Sequence, residues 1–134
     1  MQDMRDGVEL FAKLWKSKID KVCIENPIPH CHAVKALKAL GVPRYTQLIQ
    51  PFWFGDPESK STCLWLRGFQ RLNPTHSQEP DFYIDHLPKP NRGKWNNQTD
   101  SGQNKLPPSP ERAAIRAKTY PGIAHAMADQ WGRL

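Results

Sequence analysis

Glu25 and Asn26 follow the apolar run Val22-Cys23-Ile24 and precede Pro27. Such a run suits a buried strand flanked by helices on both faces. Proline has no N–H to give and should end the ladder. An acid and an amide at the carboxyl end of a strand stand where open α/β sheets place their ligands. Taken alone, the same residues also describe a buried strand that ends in a polar turn. His30-Cys31-His32, with Cys23 upstream, offers metal-ligand types. Zinc sites pair their ligands in two halves, and no second half of that form follows. A polar helix start with an incidental cysteine is expected there, and no metal. Cys23 or Cys31 beside a histidine could form a nucleophile and base, yet a thiol in an apolar strand is ordinarily inert packing. A third group is cationic. Lys89, Arg92, Lys94 and Trp95 lie close together, Lys60 precedes them, and Lys105, Arg112, Arg116 and Lys118 follow. Cations with an aromatic can track phosphates and stack a base. They serve a charged protein partner, or a merely solvated loop, equally well.

The elements that must position these residues follow from periodicity. Met4, Val8, Phe11 and Trp15 recur at helical spacing, which predicts a helix over 3–18 with Asp3 at its start and Lys16 and Lys18 at its end. The strand at 21–26 comes next. Pro29 can open a second helix carrying Val34, Leu37 and Leu40, stopped by Gly41 and Pro43. Residues 46–50 and 62–66 read as two strands of an antiparallel hairpin, joined across the Gly- and Pro-containing turn 54–60. Pro51 ends the first of them or places it on an edge. From 73 to 108 the chain is polar and proline-rich, with few apolar anchors, and reads as a long irregular basic excursion. Ser109-Pro110-Glu111 and Thr119-Tyr120-Pro121 each read as a helix start. The last helix should carry Ala124, Met127 and Trp131 on one face and close at Gly132.

The 134 residues suit a single domain, with an α/β core and hairpin over 1–72, the irregular loop over 73–108, and C-terminal helices over 109–134 packing back on the core. The fold class expected is α/β, one layer with a small mixed sheet. A net charge of +6 favours nucleic acid or another polyanion as partner. Three scattered cysteines argue against a disulfide framework and for a reducing cytoplasm. No apolar run approaches the length of a membrane span, and Asp3, Asp6 and Glu9 do not suit a signal peptide.

Several stretches together resemble the C-terminal half of phage-type DNA cytosine-5 methyltransferase-like proteins. They are Ile24-Glu25-Asn26-Pro27, Tyr45 through Gly55, Lys60 through Gly68, Thr119 through Ala124, and Ala126-Met127-Ala128 with Gln130-Trp131-Gly132. The resemblance spans most of the chain outside about 75–108. It implies a truncated, Rossmann-like half-domain. In the family a Glu-Asn pair ends a core strand, and the glutamate hydrogen-bonds a flipped cytosine and activates its ring; Glu25 and Asn26 match those positions. A flipped base needs donors and acceptors on its Watson–Crick edge. The family's Phe-Gly-x-Pro-Gln segment is matched by Phe54-Gly55-Asp56-Pro57, but Glu58, Lys60 and Thr62 stand where it has polar and basic residues. Residues 73–108 occupy the place of its target-recognition region.

Such enzymes also carry a glycine-rich loop for S-adenosylmethionine and a Pro-Cys nucleophile before the Glu-Asn strand. No Gly-x-Gly pattern precedes Asp20, and neither Cys23 nor Cys31 follows a proline. The resemblance therefore implies a chain that begins one helix before the Glu-Asn strand, binds no cofactor by itself and is inactive alone. Three functions stay open. One is a DNA-binding remnant or half-enzyme that acts with a complementary cofactor-binding chain. Another is a phage anti-defence protein, for example an inhibitor of a CRISPR-type nucleic-acid-guided nuclease. The last is a small nucleic-acid-binding protein. A sheet face lacking its usual cover would suit a homodimer or a complementary chain.

Overall fold

The computed structural model of the chain describes residues 2–76, 109–111 and 119–132. Its elements are helix α1 (Gln2–Trp15), strand β1 (Val22–Pro27), helix α2 (Cys31–Ala39), strand β2 (Gln47–Ile49), a 3-10 turn (Pro51–Phe54), strand β3 (Thr62–Arg67) and helix α3 (Pro121–Trp131). They fall into two compact units, one of Met1–Ile49 with Ser61–Arg71 and the other of Gln50–Lys60 with Leu72–Leu134. Among the described residues no helix is long and apolar enough to cross a membrane.

The first unit is α/β. Its sheet has the order β1-β3-β2, and both pairings are antiparallel. The expected hairpin is therefore present, with Leu48 opposite Cys63. The mixed sheet is not: β1 and β2 run parallel to each other, but β3 lies between them and no described neighbours are parallel. The buried strand is also a different one. Residues 62–66 are all buried, whereas β1 is half-buried over 22–24 and exposed from Glu25 onward. The physical reason is position in the sheet. β3 is paired on both sides and carries the longer apolar run, 63–66, while among the described residues β1 is paired on one side only. Pro27 does end β1, opposite Thr62.

Helices α1 and α2 pack on one face of this sheet. Val8, Phe11 and Ala12 of α1 and Leu37 of α2 are buried with Val42, Cys63 and Trp65; Trp15, Ile24, Tyr45 and Leu48 pack around them. Trp65 is the centre of this cluster. Phe11 and Tyr45 meet its ring edge-to-face at centroid distances of 4.7 and 5.8 Å, and its indole N–H donates to the Pro43 carbonyl at 2.9 Å. A buried tryptophan thus keeps its polar end satisfied while its ring fills the core.

The ends of α2 follow local chemistry. His30 is the N-cap, in extended conformation, and its Nδ1 accepts from the His32 amide. At the other end Gly41 adopts φ 82°. Its amide donates to the Lys38 carbonyl, and the Val42 amide to that of Leu37. This is the Schellman arrangement, and its usual apolar contact is made by Val42 and Leu37, both in the core. The expected stop at Gly41 is found, for the conformational reason that made glycine a signal.

In the second unit the 3-10 turn buries Pro51, Phe52 and Phe54, and α3 packs against it. Helix α3 begins at Pro121 and is capped at Gly132, as expected. Its buried residues are Ile123, Ala126 and Trp131, not the face of Ala124 and Met127. Residues 109–111 form a turn; the helix expected to follow them lies outside the described residues.

Candidate nucleic-acid interface

Glu25 and Asn26 sit at the exposed carboxyl end of β1. In the register with β3, Glu25 is opposite Leu64 and Asn26 opposite Cys63. Successive strand residues point to opposite faces, so Asn26 lies on the helix-covered face and Glu25 on the other. Neither side chain has a hydrogen bond or ion pair among the described residues. A polar strand end can commit such groups to turn or cap hydrogen bonds. Here they are left to solvent or a ligand.

Beside this strand end lies a cleft of about 490 Å³, which begins at Ile28 and Pro29 and runs along Val34, Leu37 and Lys38 to residues 43–45, with Trp65 among its walls. Its wall is mainly apolar, and its charged groups are both cations. The Arg44 guanidinium lies 5.1 Å from the Tyr45 ring centroid and within 3.4 Å of its hydroxyl. An apolar wall with a stacked aromatic–arginine pair is the chemistry that holds an unstacked base near a phosphate. Motif and spacing do not single out Lys38, Arg44 and Tyr45. The adjacency of Arg44 and Tyr45 is visible in the sequence, but only the Gly41 turn brings the pair back against α2.

Two of the three thiols are poor nucleophiles in this fold. Burial, and then the charge of Glu25, push Cys23 up to about 11. Cys63 is wholly buried and raised by that burial, partly offset by Arg44. Cys31 is exposed, with its Sγ 3.7 Å from His30 Nδ1. The His30 and His32 rings stack at 5.0 Å, and the ligand atoms of His30, Cys31 and His32 fall within 4.8 Å of one another. Spacing alone does not foretell this convergence; it arises because the N-cap geometry folds the His30 ring back over the helix start. His30 Nδ1 is occupied by that cap, and among the described residues no fourth ligand joins the three.

Lys60 belongs to the second unit, in the loop after the 3-10 turn. Its amide donates to Gln50 Oε1 at 2.8 Å, and the Ser59 hydroxyl approaches the same oxygen. The matched loop at 54–57 is tied to α3: Asp56 Oδ2 accepts from the Gly122 amide at 2.9 Å. Lys89, Arg92, Lys94, Trp95, Lys105, Arg112 and Arg116 lie outside the described residues.

No family model, curated protein or solved structure matches this chain. The strand-to-helix turn after β1 is Ile28-Pro29-His30, without the glycines that let a backbone approach a nucleotide cofactor.

Proposed function

We propose that this chain is a DNA-binding module of the cytosine-5 methyltransferase-like kind, reading an unpaired cytosine at the carboxyl end of β1. The observation that carries this reading is the state of Glu25 and Asn26: exposed at a strand end and committed to nothing in the described fold. A carboxylate accepts from the amino group of cytosine, and an amide both donates and accepts. The cleft with Lys38, Arg44 and Tyr45 adds a basic, aromatic surface for the neighbouring strand. Methyl transfer itself is not assigned to these residues: burial keeps the Cys23 and Cys63 thiols protonated.

Fluorescence anisotropy tests this with a duplex carrying one unpaired cytosine and its fully paired counterpart. Binding is expected to prefer the unpaired site and to fall steeply with salt. Glu25→Ala should remove the preference while leaving the salt-dependent background. Lys38→Ala with Arg44→Ala should weaken binding to both duplexes and flatten the salt slope by about 1 for each phosphate no longer neutralised. Absence of binding at low salt, or a preference indifferent to Glu25, overturns the reading.

A further inference from the structure

Among the described residues, strand β1 is an edge. Its pairing with β3 uses one side of Val22–Pro27, and no residue from 21 to 27 has a further hydrogen bond or ion pair among the described residues. The outward N–H and C=O groups are a template for another strand. Folded proteins blunt such edges with bulges, inward charges or covering segments. Edge charges and proline serve the same end, and β1 carries Glu25 and Pro27, with Lys21 just before it; among the described residues it has no bulge, pairing one to one with β3, and half of its residues are exposed.

The sequence of this edge is complementary to itself when run antiparallel. With Cys23 of one chain opposite Cys23 of another, Val22 faces Ile24 and Lys21 faces Glu25, each pair occurring twice by symmetry. Opposed residues then share a face, as antiparallel pairing requires. The neighbouring registers are worse. Centring on Val22 sets Asp20 against Ile24, centring on Ile24 sets Cys23 against Glu25, and centring on Glu25 sets two carboxylates face to face. Ile19 and Ile28, 63% and 56% exposed, flank the two ends of the strand. In an antiparallel pair the start of one strand meets the end of the other, so these apolar side chains are brought near each other.

We propose that a second copy of this chain docks on the β1 edge about a two-fold axis at Cys23, joining two three-stranded sheets into one. This inference does not rest on the DNA reading, although both draw on Glu25. It is tested without nucleic acid, so the two fail separately.

Sedimentation of the full chain over a range of concentrations is expected to show a reversible monomer–dimer equilibrium. Lys21→Glu should raise the dimer dissociation constant about tenfold, since two attractive cross-strand pairs become repulsive. Glu25→Lys should do the same. The double variant, Lys21→Glu with Glu25→Lys, restores both pairs and should restore the dimer. Lys35→Glu makes the same charge change on exposed α2 and should leave association unchanged. Circular dichroism establishes that each variant is folded, which these exposed positions favour. A monomer at every concentration overturns the proposal. So does equal weakening by Lys35→Glu, or failure of the double variant to restore association.

Discussion

The guanidinium of Arg67, at the end of β3, lies 5.2 Å from the ring centroid of Trp15, at the end of α1. The same group donates to the carbonyl of Trp15 and, at 2.9 Å each, to those of Ser17 and Ile19. A helix leaves its last carbonyls without intrahelical partners, and the negative end of its dipole favours a cation. Arg67 answers both needs and fixes the path of the chain from α1 into β1.

Replacing Arg67 is therefore expected to loosen the α1–β1 connection. Arg67→Ala should cost about 1.5–3 kcal/mol, the range for hydrogen bonds to a charged donor. Arg67→Lys keeps the charge but not the planar fork that reaches several carbonyls at once, and should recover only part of the loss. Urea denaturation of the three proteins measures this. Equal stability of Arg67→Ala and the parent would remove the capping role.

The contact between Asp56 and the start of α3 gives a second expectation. A Cβ on Gly122 would collide with the Phe54 carbonyl oxygen and fall 2.7 Å from Asp56 Oδ2. Gly122→Ala must push the helix start off the 3-10 turn, at a cost of about 1–3 kcal/mol. Asp56→Ala removes a distant cap from the helix and should cost about 1 kcal/mol, with Asp56→Asn closer to the parent. Hydrogen exchange at the α3 amides should accelerate most in Gly122→Ala, less in Asp56→Ala and least in Asp56→Asn.

Thiol chemistry gives a third. Cys31 is exposed, Cys23 is raised to about 11 by burial and by Glu25, and Cys63 is buried. At about pH 8 iodoacetamide should modify Cys31 first, and Cys23 and Cys63 only as the protein opens. Mass spectrometry of the time course resolves the order.

The sign of the pH effect follows from the same shift. Folding raises the Cys23 thiol from 9.0 to about 11, so the folded chain keeps its proton where the unfolded chain loses it. The contribution is intact below about pH 9 and is lost as pH climbs through about 11. Cys23→Ser should flatten that alkaline decline in a series of urea denaturations, and an unchanged profile would assign the decline to other groups.

Much of the local structure is written in the sequence. The helical spacing of Val8, Phe11 and Trp15, the stop at Gly41, the hairpin strands and the Pro121 start of α3 rest on interactions between near neighbours. Side-chain periodicity and backbone steric limits act there without knowledge of the rest of the fold. The polar strand end at Glu25-Asn26 is legible for the same reason.

What the sequence could not determine is which strand becomes the middle one. Residues 22–24 and 63–66 are both apolar runs, and only pairing order makes β3 the buried strand and β1 an edge. The expected burial of β1 failed on that point. The cap on α1 was invisible as well, because Arg67 reaches it across the sheet, as was the return of Arg44 and Tyr45 against α2. Periodicity reports which face of an element is apolar, while edge or centre, and the partner of a distant cation, depend on contacts between segments far apart in the chain. The sequence determined these elements and the residues at their ends; tertiary pairing decided which of those ends stay open to a partner.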